Sequence, residues 1–171
     1  MPEFIQLAHD RYSCRRFSDR LVEAEKIERA LEAAIAAPTA VNRQPWHAWL
    51  IADAGVVAKL DTVTPYTFGA RQFVLFGAKA DEAWVRAYDG RNFADVDVTI
   101  AATHFMLEIA AEGLGTTWVG KFDAPAMKGL LPQTTDFDLV ALFPIGYPAD
   151  DAAPSTRHSQ RKAEEELVDR V

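Results

Sequence analysis

The sequence predicts a single α+β domain. Its 171 residues suit one domain, can bury a sizeable core, and contain no linker that would divide residues 1–171. Apolar runs of strand length are mixed with helical patterns, but not in the regular βαβ rhythm of a doubly wound sheet. One helical segment, residues 95–112, is apolar on nearly every side, which is typical of a central helix covered by its own domain and by a second subunit.

Composition excludes several function classes. The formal charge of −7 argues against nucleic-acid binding, which needs a basic surface. Cys14 is the only cysteine, so an internal disulfide and a cysteine-based metal site are excluded, and the histidines have no metal-ligand spacing. The N-terminal residues lack the pattern of a secretory signal, and no apolar run reaches the ~18 residues of a membrane helix. We therefore expect a cytoplasmic protein without a membrane or metal partner.

The first half of the chain is predicted to form two helices, a strand and a further short helix or turn. The clearest helix is 23–36, whose apolar residues recur at helical spacing until Pro38 ends the pattern. The other predicted elements are a short amphipathic helix at 3–9, a polar basic segment at 11–17, a loop at 38–45, a strand at 47–52 and a short helix or turn at 56–63.

The second half is organised around the long helix. Residues 95–112 have acidic residues in the first turn, which suit the helix dipole, and Gly113 is the candidate C-cap. The remaining predicted elements are a strand at 73–76 buried on both faces, a short helix at 81–91, a strand at 116–119, a helix at 124–131 and a strand at 139–145. Residues 150–171 have little apolar content and are interpreted as an arm that is either solvated or laid across a partner.

The first candidate site is a basic cluster that contains Arg11, Arg15 and Arg16, together with the hydroxyls of Tyr12 and Ser13. Guanidinium groups and short hydroxyl donors suit a phosphate. In an extended segment Arg11, Ser13 and Arg15 would point the same way. A solvated basic surface is the alternative, and composition alone favours it.

The second candidate is the loop 37–46. Two prolines restrict its backbone, and Asn42 and Gln44 carry amides that suit the mixed hydrogen-bonding edge of a flat heterocycle. The alternative is a helix-to-strand connection whose polar residues face water. The residues alone support both hypotheses equally.

Two further segments are weaker candidates. The glycine-rich segment 113–120 follows a helix instead of opening one, so it is not a dinucleotide fingerprint. Gly120 could bring a backbone N–H close to a ligand, although a tight turn into a strand is the better explanation. The basic segment 157–162 of the tail, which includes Arg161, is expected to be solvated unless it joins a site.

Taken in order along the chain, these segments resemble the nitroreductase-like FMN oxidoreductases. The resemblance is carried by Arg-Tyr-Ser-Cys-Arg-Arg-Phe at 11–17 and by Ala-Pro-Thr-Ala-Val-Asn-Arg-Gln-Pro-Trp at 37–46. The second motif is the more specific one. The long helix with its glycine-rich turn, Gly-Tyr-Pro at 146–148 and Arg-Lys at 161–162 complete the order. The resemblance implies the nitroreductase-like fold, with a mostly antiparallel central sheet flanked by helices and a long dimer-interface helix.

The resemblance also implies which residues bind FMN. Arg11, Ser13 and Arg15, beside Tyr12, are expected at the phosphate and ribityl oxygens, and Arg161 is expected to join them. The flavin ring is expected to be lined by loop residues of the other subunit, with backbone groups of this chain near its N5 and O4 edge. The loop residues are Pro38, Thr39, Ala40, Asn42 and Gln44, and the backbone groups belong to Val119 and Gly120. No lysine or asparagine between Thr62 and Arg71 matches the one that some family members place against the pyrimidine edge.

The function implied by the resemblance is that of a homodimeric oxidoreductase. Bound FMN would carry the chemistry by a ping-pong mechanism, with NADH or NADPH as donor and a small oxidised acceptor such as a nitroaromatic or a quinone, so no side chain is predicted to be catalytic. The main alternative is a non-catalytic module that binds, stores or senses the redox state of FMN. A cofactor-free dimeric domain, oxygen-dependent flavin cleavage and reductive dehalogenation also remain open.

Overall fold

A computed structural model describes residues 3–171, and its architecture is α+β, as the sequence predicts. The core is a four-stranded, fully antiparallel sheet in the order β1–β2–β4–β3. The strands are β1 (Trp46–Ile51), β2 (Gln72–Ala78), β3 (Gly115–Thr116) and β4 (Asp138–Gly146). The predicted strands at 47–52, 73–76 and 139–145 are therefore confirmed.

Five α-helices surround the sheet. They are α1 (Phe4–Asp10), α2 (Ala24–Ile35), α3 (Ala54–Val57), α4 (Ala94–Ala111) and α5 (Ala124–Leu130). Short 3₁₀ turns lie at Ala40–Asn42, Leu60–Thr62, Pro132–Thr134 and Glu164–Glu166. The helices predicted at 3–9, 23–36, 95–112 and 124–131 are confirmed, although α1 buries none of its residues.

Residues of β2 alternate between two hydrophobic cores. Val74 and Phe76 pack with α2 and α4 on one face, whereas Phe73 and Leu75 pack with α5 residue Met127 on the other. Because side chains alternate across a strand, a strand covered on both faces must be apolar at every position. That explains the unbroken apolar run at 73–76.

Helix α4 crosses this domain beside α2, whose small Ala30 and Ala34 are fully buried. Phe105 and Ile109 of α4 are also fully buried. Gly113, two residues after the last helical residue, has φ 73° and terminates the helix. The Gly113 N–H donates to the Ala110 carbonyl and the next N–H to the Ile109 carbonyl, at 3.1 and 3.0 Å. This arrangement is a Schellman motif and confirms the predicted C-cap.

The helix predicted at 81–91 is wrong. This segment forms turns, and Val85 makes an antiparallel bridge to Asn92. Gly90 has φ 71°, and the Arg86 N–H donates to the Arg91 carbonyl at 2.9 Å. Turn-forming Asp89 and Gly90 outweigh helix propensity here.

The strand predicted at 116–119 is also partly wrong. Only Gly115 and Thr116 pair continuously with β4, and Val119 rejoins the sheet through a separate bridge to Leu142. The arm at 150–171 is largely exposed, and within the chain His158 Nε2 lies 3.0 Å from the His9 carbonyl. Among residues 3–171 no helix is long and apolar enough to cross a membrane, and no cluster of three or more potential metal ligands occurs.

Candidate cofactor-binding site

A polar pocket of about 210 Å³ lies where the N-terminal basic segment meets the arm. It is lined by Arg11, Ser13, Arg15, Ser155, Arg157, His158 and Arg161. We call it the arginine pocket. It brings together four guanidinium groups and two hydroxyls from opposite ends of the chain, which is a donor set that matches a phosphate.

The electrostatics of the arginine pocket favour an anion. Burial, and then the nearby charge of Arg161, lowers the pKa of Arg11 below its ordinary value. In the part of the chain that the structure describes, none of the four arginines forms a salt bridge with a carboxylate. The adjacent Arg16 instead pairs with Asp151 at 2.6 Å. The four arginines therefore repel one another, and a dianion that binds among them would relieve this repulsion.

Local structure explains how the basic segment presents its side chains. Ser13 forms a parallel bridge with Thr116, and the Cys14 N–H donates to the Thr116 carbonyl at 2.9 Å. Cys14 is fully buried and its thiol donates to the Arg16 carbonyl at 3.3 Å. Because successive residues of an extended segment point to opposite sides, burial of Cys14 turns Ser13 and Arg15 outward.

Close packing at Gly115 fixes the position of this segment. A Cβ atom at Gly115 would lie 2.7 Å from the Cys14 Sγ and 2.8 Å from its Cβ, closer than real Cβ atoms approach. Glycine is therefore required for the backbone of β3 to approach the basic segment. The sequence interpretation of the glycine-rich segment as a tight turn leaves out this contact.

A second pocket of about 230 Å³ adjoins the arginine pocket through Arg15, which lines both. Its other lining residues are Tyr66, Phe68, Thr117, Trp118, Val119, Gly120 and Lys121. We call it the aromatic pocket. The Tyr66 and Phe68 ring centroids are 5.9 Å apart, and the Lys121 Nζ lies 5.8 Å from the Tyr66 centroid.

Backbone hydrogen bonding distinguishes Val119 from Gly120, the two residues whose backbone groups are predicted to lie near the edge of the flavin. Val119 exchanges both of its backbone hydrogen bonds with Leu142, at 3.0 and 2.9 Å, so its N–H is already used. In residues 3–171 the Gly120 N–H has no backbone or side-chain acceptor, and an added Cβ there would meet only Trp118, at 4.0 Å. Gly120 is therefore the residue whose N–H remains available to a ligand.

Sequence reasoning missed several residues of these pockets. Ser155 lies outside every candidate segment, and Arg157 and His158 belong to the tail segment 157–162, which the sequence predicts to be solvated, yet all three line the arginine pocket. Nothing in the local pattern of a charged tail distinguishes them from solvated residues. Lys121 supplies a cation to the aromatic pocket, whereas the family resemblance places a lysine or asparagine within 62–71. The signal for Lys121 in the sequence is its position directly after Gly120.

Tyr12 does not line the arginine pocket. It borders a separate cavity beside Ala110 and Leu114, and burial raises the pKa of its hydroxyl. Its ring is edge-on to His158, with centroids 6.5 Å apart. The structure therefore gives Tyr12 a packing role between the basic segment and the arm, and its predicted contact with FMN stays a prediction.

The loop 38–44 lines neither pocket of its own chain. The positions predicted to line the flavin from the other subunit are Pro38, Thr39, Ala40, Asn42 and Gln44. Three residues of the loop have left-handed backbone conformations, Val41, Asn42 and Gln44, with φ of 53°, 54° and 51°. Such conformations are rare outside glycine, so the backbone of the loop has a specific shape, and its predicted place at the flavin stays a prediction.

Comparison with known proteins agrees with this fold. The model of the Nitroreductase family matches residues 8–63 and 54–147. A nitroreductase family protein of Clostridium difficile 630 is 31% identical and superimposes with a TM-score of 0.90, over 98% of both chains. This chain belongs to the nitroreductase family.

Two other relatives bear on the cofactors. A protein from Desulfovibrio desulfuricans, solved in complex with FMN, is 26% identical, has a TM-score of 0.80, and is matched over 98% of this chain and 96% of its own. A relative from Archaeoglobus fulgidus, whose name joins NADH dehydrogenase and NAD(P)H nitroreductase, is 28% identical over 166 residues, with 88% of each chain covered. The chain is therefore similar to one protein solved with FMN and to another whose name refers to NADH and NAD(P)H.

Proposed function

We propose that the protein is a homodimeric, FMN-dependent oxidoreductase that passes reducing equivalents from NADH or NADPH to a small oxidised acceptor such as a nitroaromatic or a quinone. The observation that carries the proposal is the arginine pocket, in which both ends of the chain meet. The FMN complex of the Desulfovibrio relative and the name of the Archaeoglobus relative support the choice of cofactor and donor. A cytoplasmic location is part of the proposal, because nicotinamide donors are generated there.

The residues present fit FMN. The arginine pocket offers several cationic donors to a phosphate dianion, with Arg11 half-buried, where charge-assisted hydrogen bonds are strong. The adjoining aromatic pocket combines apolar rings with a free backbone N–H, which suits a flat heterocycle with polar edges. Because Arg15 lines both pockets, the two pockets adjoin, so that one ligand with a phosphate at one end and a ring system at the other could occupy both.

Each part of the site has a defined task. Arg11, Arg157 and Arg161 would hold the phosphate, and the Ser13 hydroxyl would donate to it. The Gly120 N–H would donate to the ring edge, and the positive charge of Lys121 would stabilise negative charge that develops on the ring. When bound, FMN would supply the redox chemistry between the nicotinamide and the acceptor. The side chains bind and orient, and none is assigned as a general acid or base.

The dimer is supported by apolar surface left uncovered in one chain. Ile100, Met106 and Leu107 on α4 are only half-buried, and Phe4 and Ile5 on α1 are 70% and 60% exposed. Uncovered apolar surface of this kind favours association. A two-fold dimer through α4 would bury such surface in both chains and allow the loop 38–44 of each chain to reach the other's site.

The test begins with the absorbance spectrum of the purified protein, before and after addition of FMN. The protein is then titrated without oxygen with NADH and with NADPH, followed by a quinone or a nitroaromatic. We expect a bound flavin that bleaches with at least one nicotinamide and recovers its colour with the acceptor. Bound FMN that neither nicotinamide reduces would favour the storage or sensing module, and a protein unable to take up FMN would refute the proposal.

A further inference from the structure

We propose that Asp97 is a positioning residue that fixes the strained loop 39–44 on the domain through the backbone N–H of Ala40. The inference deepens the proposed function and rests on it in one respect, since this loop is the segment expected to cover the flavin of the partner subunit. The contact between Asp97 and the loop is independent of that assignment.

The loop needs an external anchor because its backbone is strained. Val41, Asn42 and Gln44 all have positive φ, and for the β-branched Val41 this conformation is a clear outlier. Val41 is also 73% exposed, so burial of its side chain within the chain does not offset the strain. Strained segments persist only where surrounding contacts determine them.

Internal hydrogen bonds account for the shape of the loop but not for its position. The Gln44 N–H donates to the Thr39 Oγ1 at 3.0 Å, and the Gln44 Nε2 donates to the Asn42 carbonyl at 3.2 Å. Both bonds lie within the loop, so they could move with it as a unit. A contact to a rigid element is needed to fix that unit on the domain.

Asp97 supplies this contact. Its Oδ1 accepts a hydrogen bond from the Ala40 N–H at 2.8 Å, directly before the first left-handed residue. Asp97 lies in the first turn of α4, is 1% exposed, and has no salt bridge among residues 3–171. Its Oδ2 is buried without a hydrogen-bond partner in that same range. A buried carboxyl group with one hydrogen-bond partner is costly, so an apolar side chain would serve better if the residue only filled the core.

The chain offers a direct reporter and a matched control. Arg43 is exposed, so trypsin cleavage between Arg43 and Gln44 measures how firmly the loop is held, and mass spectrometry identifies that cut. Asp95 lies in the same helical turn but is exposed, so Asp95→Asn removes an equal charge without touching the loop. Asp97→Asn keeps an acceptor oxygen, and Asp97→Ala removes it.

The experiment compares cleavage rates at Arg43 for the protein as purified, with and without added FMN, well below each variant's Tm. We expect Asp97→Ala to be cut at least ~10-fold faster than Asp95→Asn, and Asp97→Asn to stay within about threefold of the unmodified protein, because loop opening is a local equilibrium. Equal rates for Asp97→Ala and Asp95→Asn would overturn the proposal. So would an acceleration in Asp97→Ala that merely follows its fall in Tm, or one that Asp97→Asn fully shares.

A second variant keeps the test decisive if Asp97→Ala does not fold. Ala40→Pro removes the donor instead of the acceptor, and Thr39 already has the extended backbone, φ −131° and ψ 159°, that a residue before proline requires. We expect the same faster cut at Arg43, and an unchanged rate would overturn the proposal. The visible spectrum of added FMN then separates the two proposals. If Asp97→Ala is cleaved faster at Arg43 but binds FMN normally, the proposal that Asp97 anchors the loop stands, and the proposed role of the loop at the flavin is refuted.

Discussion

Replacing Arg11 by methionine should separate cofactor affinity from protein stability. Methionine keeps much of the aliphatic volume while it removes the charge. Arg11 is half-buried in the arginine pocket, and burial, together with the nearby charge of Arg161, lowers the pKa of Arg11. Without a bound anion, the charge of Arg11 is therefore unfavourable in the folded chain. When a phosphate is bound, Arg11 is the least solvent-exposed of the four arginines that line the pocket, so its charge interacts with the phosphate most strongly.

The expected magnitude follows from these surroundings. A hydrogen bond to a charged group contributes roughly 1.5–3 kcal/mol, so Arg11→Met should weaken FMN binding by about 10- to 150-fold. Arg161 is exposed, where solvent screens charge, and a contact of that kind is worth up to about 1 kcal/mol. Arg161→Met should therefore weaken binding by about fivefold or less.

The assay is a fluorescence titration of flavin-free protein with FMN at low ionic strength, paired with thermal unfolding of the same samples. Arg16→Met is the matched control, since Arg16 pairs with Asp151 at the surface and does not line the pocket. The Tm of flavin-free Arg11→Met should equal or exceed that of the unmodified protein. An FMN affinity within twofold of the unmodified value, or a loss of stability that accounts for the loss of affinity, would refute the reasoning.

Two further predictions concern the scaffold. Gly115→Ala should lower the free energy of unfolding by roughly 1–3 kcal/mol through overpacking against Cys14 and also weaken FMN binding. Gly129→Ala, in a helix with open space at that position, should stabilise the protein slightly. Equal changes in the free energy of unfolding for Gly115→Ala and Gly129→Ala, measured by urea titration, would contradict the packing argument. The hydrogen bond from the Tyr147 hydroxyl chiefly lowers the pKa of Glu23, from 4.5 to about 2. The stability that Glu23 contributes should be complete above pH 4.5 and lost as the pH falls towards 2. The free energy of unfolding of Glu23→Gln should therefore decline less steeply over this pH range, and equal slopes for the variant and the unmodified protein would contradict the expectation.

Much of the fold could be predicted from the sequence because burial imposes a pattern. Helix α4 and strand β2 are covered on more than one side, so their apolar runs indicate them without other information. The segment 81–91 has no such pattern. It forms turns, with Gly90 at positive φ, because the turn-forming residues Asp89 and Gly90 outweigh a weak helix propensity.

From the residues alone the site was predictable where it depends on neighbouring residues and not where it depends on distant ones; the place of Arg161 in the arginine pocket followed only from the family resemblance. Arg11, Ser13 and Arg15 lie in one short segment, and extended geometry alone predicts that they share a side. The sequence could not assign Arg157 to the same pocket, because that contact requires the arm to return to α1. Asp97 illustrates the same limit. Its position suits the helix dipole, but its bond to Ala40 joins residues 57 positions apart.

The central claim is that the arginine pocket binds the phosphate of FMN, and riboflavin tests it most directly because it lacks only that phosphate. Both flavins would be titrated into the unmodified, flavin-free protein at one low salt concentration. Two or more charge-assisted contacts predict that FMN binds more than about 100-fold more tightly than riboflavin, with a preference that shrinks as salt rises. Equal affinity for FMN and riboflavin would contradict the account.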